Sequence, residues 1–136
     1  MSAPPSAGAG IVVGAAVLDA LFVVAFAIAG RSSHAEGLDL AGVWGTAWPF
    51  LVGAAIGWAA SFAWRRPLAV WPAGVAAWAG ALIVGMLLRA LTGAGIAAPF
   101  IVVAAITLAV FLIGWRALAA LVLALRARRS AGADAR

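Results

Sequence analysis

Cysteine and lysine are absent from this chain of 136 residues, and histidine occurs once, at His34. Without cysteine, disulfides, thiolate chemistry and cysteine-held metals are excluded, and redox usage says nothing about compartment. With one histidine, a haem carrying two histidine ligands is impossible within one chain. Charge is scarce as well, at 10% of residues against about 25% in a soluble domain. Hydrophobic residues make up 67%, against about 45–50%. A water-soluble fold this small buries only about two-thirds of its surface, so it cannot hide so much apolar area. The composition therefore demands a bilayer as solvent.

What is present agrees with that demand. All nine cationic residues are arginine, and the formal net charge is +5. In a soluble chain this balance would suggest nucleic acid. Here the arginines stand at the ends of apolar runs, where they orient spans and meet anionic lipid headgroups, so no nucleic-acid partner is expected. Four apolar runs lie at about 11–29, 44–64, 69–91 and 99–118, each near the roughly 20 residues needed to cross about 30 Å of hydrocarbon. Backbone groups in lipid must bond within their own segment, so these Gly- and Ala-rich runs form helices regardless of propensity. The expected fold is all-α, an integral membrane bundle of four transmembrane helices over residues 11–125. It is preceded by a disordered tail of residues 1–10, "MSAPPSAGAG", and followed by a basic C-terminal tail over 126–136. "AIAG" at 27–30 mimics a signal-peptide cleavage site, but the preceding region has no basic residue and Asp19 interrupts the apolar run. The first run is therefore read as a retained span.

Orientation follows from arginine placement. Arg65 and Arg66 lie in the second connection, and Arg126, Arg128, Arg129 and Arg136 lie at the C-terminus. The first connection offsets Arg31 with Glu36 and Asp39, and the third, "TGAGIAAP", has no arginine. The positive-inside rule places both termini and the second connection in the cytoplasm, with the cell membrane as location. Trp64, Trp71 and Trp115 fall near the inner interface, and Trp44 and Trp48 near the outer. Small-xxx-small patterns occur at Gly10/Gly14 and Gly53/Gly57, and again at Ala77/Ala81/Gly85. They permit close helix approach, within one chain or in a homodimer.

The chemistry resides in a few polar residues. Asp19 lies about eight residues into the first run, or about 12 Å, and a carboxylate at that depth costs on the order of 2.5–3.5 kcal/mol. It must meet a cation or take up a proton. Arg89, in "GMLLRALTG", and Arg116, in "GWRAL", are the candidate partners. Each also stands where an arginine ordinarily snorkels to the headgroups. Arg31 and His34 share a face if the first helix continues past Gly30; if Gly30 caps it, Arg31 lies in a loop. Either way Arg31, His34, Arg89 and Thr92 gather at the outer surface, where they suit an anion, a lipid headgroup or a proton path toward Asp19. The candidate binding cluster is thus Asp19, Arg31, His34, Arg89, Thr92 and Arg116. His34, Glu36 and Asp39 are a poor metal set, and neither a metal nor another cofactor is expected. No enzyme motif stands out, so there is no candidate catalytic residue.

These residues resemble a known family. "GRSSH" after a first span holding Asp19, "WPF" opening a second, "GMLLR" in a third and "GWRAL" in a fourth are similar to the small four-span membrane proteins catalogued as domain of unknown function 3054. The resemblance covers roughly residues 11–120. It implies that Asp19, Arg31, His34, Arg89 and Arg116 occupy the family's characteristic polar positions, and it brings no activity with it. Two roles follow from the residues. One is an accessory or structural membrane subunit, docked to itself or to another membrane protein, whose polar cluster holds helices together. The other is a small proton-coupled transporter or channel, acting as a homodimer, with Asp19 as its intramembrane carboxylate. An enzyme acting on lipid headgroups through Arg31 and His34 is a third, weakened by the missing second acid–base group.

Overall fold

The structure, a computed structural model, describes residues 6–33 and 36–136. Among the described residues five α-helices follow in order: α1 (Ala9–Ser33), α2 (Leu40–Ala60), α3 (Val75–Leu91), α4 (Ala98–Leu112) and α5 (Gly114–Asp134). Four stretches of the described residues are long and apolar enough to cross a membrane, because Val70–Leu91 counts as one unit and α4 runs on into α5 as Ala98–Asp134. The regular structure of the described residues is all-helical, as expected. One end of the bundle holds the α1–α2 and α3–α4 connections, and is called the Arg31 end below. The other holds the α2–α3 connection and is called the Arg65 end.

Helix boundaries depart from the expected spans for local reasons. α1 passes straight through Gly30 to Ser33, so Arg31 is helical rather than in a loop. α2 starts at Leu40, not near 44, because Asp39 caps it: the Gly42 N–H donates to Asp39 Oδ2 at 3.1 Å. The helix stops at Ala60, and Phe62 then adopts a left-handed conformation (φ 52°). A 3₁₀ turn at Ala63–Arg65 follows. Regular α3 begins only at Val75 instead of 69. Trp71 precedes Pro72 and is extended (φ −117°, ψ 131°), the conformation that the proline ring imposes on its predecessor. At the other end of α3, Gly93 takes φ 77°, the left-handed position that commonly ends a helix. Residues 126–134, expected as a basic tail, continue α5 as helix.

α2 and α3 form the closest pair. A methyl group at Gly53 would strike the Gly80 carbonyl and come within 2.9 Å of Ala81 Cα. One at Gly57 would strike the Ala76 carbonyl, with its carbon at 2.7 Å. The small residues at Gly53/Gly57 and Ala77/Ala81 therefore serve packing within one chain, one of the two uses the sequence leaves open. Ala77 and Ala81 are fully buried on the opposing face. Phe50 fills the space over Gly85, where a Cβ would lie 2.6 Å from its ring. Around this pair, α1 and α4 contribute Val23, Phe26, Ala104, Leu108 and Leu112 to one core. Phe26 and Phe50 meet edge to face at 5.0 Å. Outward-facing Val17, Leu21, Ile83, Leu87, Ile106 and Val110 are exposed, which suits a surface solvated by lipid tails rather than by water.

A carboxylate clamped inside the bundle, and a basic cleft at its end

Asp19 is carried on the inward face of α1, about 15 Å along the helix from Ala9 and about 21 Å from Ser33 at 1.5 Å per residue. Arg116 sits in the first turn of α5, and its stem runs back toward the α5 N-terminus, as helical side chains do. The two meet as a fork: Nη1 donates to Asp19 Oδ1 at 2.8 Å and Nη2 to Oδ2 at 2.7 Å. Two indoles complete the carboxylate's shell. Trp58, in the last turn of α2, donates to Oδ2 at 2.8 Å, and Trp115 donates to Oδ1 at 2.8 Å. An ionised carboxylate offers about four acceptor positions, and here each oxygen accepts twice. Arg116 is equally engaged. Its Nε donates to the Pro67 carbonyl at 2.9 Å and Nη1 also donates to the Leu112 carbonyl at 2.7 Å, so four of its five N–H groups are used.

This centre excludes solvent. Asp19 is 2% exposed and Arg116 0%, and no buried side-chain nitrogen or oxygen among the described residues lacks a partner. Burying two charges is costly, and only close geometry with the remaining hydrogen bonds satisfied repays it. Both conditions hold here. Gly74 makes room for the arginine, since a Cβ there would come within 2.8 Å of Arg116 Cδ. The break between α4 and α5 belongs to the same arrangement. The Leu112 carbonyl one turn before Arg116 accepts from its guanidinium, and a side chain entering the backbone ladder is a known cause of a helix break. Thus α1, α2, the α2–α3 connection and the α4–α5 break all converge on one ion pair.

The Arg31 end holds a second, separate cluster. Arg31 Nη1 pairs with Glu36 at 3.0 Å and donates to Thr46 Oγ1 at 3.4 Å, while Nε donates to the Gly37 carbonyl at 2.7 Å. Arg89, in the last turn of α3, donates through Nε and Nη2 to the Gly95 carbonyl at 3.1 and 2.9 Å. Its guanidinium carbon stands 4.6 Å from the centre of the Phe100 ring. Both arginines line a cleft of about 270 Å³, with Phe26, Glu36, Thr46 and Phe100 among its walls.

The six expected residues therefore do not form one cluster. Of the two candidate partners for Asp19, the bundle uses Arg116. Snorkelling does not describe that side chain, which is fully buried and turns inward to the carboxylate and two backbone carbonyls. Arg89 and Arg31 share the cleft at the opposite end. Thr92 is exposed and bonds back to the Leu88 carbonyl at 2.8 Å, the usual habit of a lone helical hydroxyl. His34 lies outside the described residues. Trp58 and the Pro67 carbonyl were not anticipated, and Trp115 was expected only as an interface residue. Trp58 did leave a trace: an indole N–H inside an apolar run needs an acceptor, and Asp19 was the only acid in a span. Pro67 left none, since its carbonyl becomes available only through the fold of the α2–α3 connection.

A family model described as "Protein of unknown function (DUF3054)" matches residues 16–119. That interval begins three residues before Asp19 and ends three after Arg116, so it encloses both the clamp and the cleft. No curated protein and no solved structure matches the chain.

Proposed function

The chain belongs to the DUF3054 family of proteins of unknown function, and from that premise we propose that it is a non-catalytic, multi-pass membrane protein, an accessory or structural subunit whose Asp19–Arg116 pair locks the bundle. The supporting observation is the saturation of Asp19: both oxygens accept twice, from Arg116, Trp58 and Trp115. A carboxylate so held decides which helices meet. A carrier that couples transport to protons needs its carboxylate to exchange a proton or ligand with water, and Asp19 has neither exposure nor a spare acceptor position. The homodimeric transporter reading is therefore the weaker one. The arginine distribution supports a cell-membrane protein with both termini cytoplasmic.

Asp19→Asn tests the reading. It keeps the shape but leaves the buried guanidinium without its counter-charge, and breaking a buried pair costs about 3–5 kcal/mol. Expected are a lowered thermal midpoint in detergent, lower abundance in the membrane, and no proton-driven flux in liposomes holding the wild-type protein. A variant as stable as wild type that abolishes a measurable proton-coupled flux would overturn it.

A further inference from the structure

We propose that the cleft at the Arg31 end binds the oxyanion of a phosphate ester, with Arg89 as its principal donor. The two guanidinium groups in the cleft are not equivalent. Arg31 is already paired with Glu36 and engaged by the Gly37 carbonyl. Arg31 also has Asp39 at 3.9 Å, whereas Arg89 forms no ion pair among the described residues, so it is the guanidinium that an incoming anion need not win from a carboxylate. Its orientation is set in advance: the Gly95 carbonyl takes the Nε edge and Phe100 covers one face. Nη1 is left without a partner among the described residues and belongs to a side chain lining the opening. A donor already held in place loses little freedom on binding, which favours affinity.

The chemistry of the walls narrows the ligand. A planar fork of N–H donors matches the geometry of phosphate, to which it can donate twice in parallel. The volume of about 270 Å³ lies just below the roughly 300–1,000 Å³ of pockets for drug-sized molecules, so it suits a headgroup-sized moiety. Phe26, Ala97 and Phe100 give that moiety an apolar wall for the carbon side of an ester. Glu36 restrains binding, because an incoming phosphate must compete with it for Arg31. The site lies where α3 ends and α4 begins, and the ends of membrane spans are where side chains meet headgroups. Its phosphate has two sources, a phospholipid headgroup or a water-soluble phosphate compound. The cleft is distinct from the Asp19 clamp and does not depend on the structural role proposed for it.

The experiment uses the full chain in detergent, titrated separately with inorganic phosphate and with a short-chain phosphatidylglycerol, and binding is read from the saturable rise in thermal midpoint. Saturation by the lipid alone assigns a headgroup, and saturation by phosphate assigns a soluble ligand. Arg89→Gln should weaken binding about tenfold or more, the loss of a charge-assisted hydrogen bond. Glu36→Gln should tighten it by removing a carboxylate from the cleft wall that opposes the anion, and Arg65→Gln, at the opposite end, should leave it unchanged. Should Arg89→Gln fail to fold, Arg89→Lys replaces it: it keeps the charge, loses the fork and is expected to bind severalfold more weakly. The proposal is overturned if neither probe saturates, if Arg89→Gln and Arg65→Gln weaken binding alike, or if Arg89→Lys binds as wild type does.

Discussion

Arg116 and Asp19 are each unfavourable alone and stable together. A carboxylate among hydrocarbon tails and a guanidinium beside it would each be expensive, yet their fork leaves almost no polar atom idle. The indoles matter as much as the charges, because without Trp58 and Trp115 two acceptor positions on Asp19 would lie buried and empty. This predicts a non-additive result. Asp19→Leu or Arg116→Met alone should destabilise strongly, since each strands its partner's charge. The double variant should be more stable than either single one, because no charge then remains buried. Thermal midpoints of the four proteins close the cycle, and strict additivity would contradict the coupling. Asp19 was legible in the sequence as a group in need of a partner. The choice of Arg116 over Arg89 was not, because on the expected topology each stands only about one to two helical turns from Asp19 in depth.

At the scale of elements, the contrast between glycines is the sharpest test of packing. Gly57 and Gly14 both sit in small-xxx-small patterns and look alike in sequence. In the bundle, a methyl at Gly57 collides with the backbone of Ala76 on α3, whereas one at Gly14 meets nothing within 4 Å among the described residues. Gly57→Ala should therefore lower stability by about 1–3 kcal/mol, the usual cost of overpacking, and Gly14→Ala should change it little in either direction. Resistance to unfolding in mild detergent compares the two. Helix existence was readable from apolar run length because lipid allows the backbone no other bonding. The ends were less readable. The Asp39 cap is present in the sequence but reads there as a loop charge, and the displaced start of α3 comes from Trp71–Pro72, a local backbone constraint inside an otherwise apolar run.

At the scale of the whole molecule, the described residues form two polar centres at different heights along the bundle, a closed one toward the Arg65 end and an open one at the Arg31 end. With the two proposals above, that division would separate holding the bundle together from meeting a ligand. It also gives orientation a practical meaning, because the cleft faces only one compartment. The absence of cysteine makes sidedness simple to measure. If both termini are cytoplasmic, Ser130→Cys should react with a membrane-impermeant maleimide only after permeabilisation, and Thr92→Cys should react in intact cells. The reverse pattern would place the cleft in the cytoplasm and contradict the arginine-based orientation.

Apolar run length, the scarcity of charge and the single acid within a span determined by themselves that this chain is a helical bundle with four stretches able to cross a membrane and one internal electrostatic problem to solve. Those properties are local, and the bilayer converts them directly into helices. Which groups solve that problem was decided by tertiary structure alone. Trp58, Arg116 and the Pro67 carbonyl lie 39, 97 and 48 positions from Asp19 in the chain, and no periodicity links them. Only the packing of α1, α2, α5 and the irregular turn before α3 brings their donors and acceptors within hydrogen-bond distance.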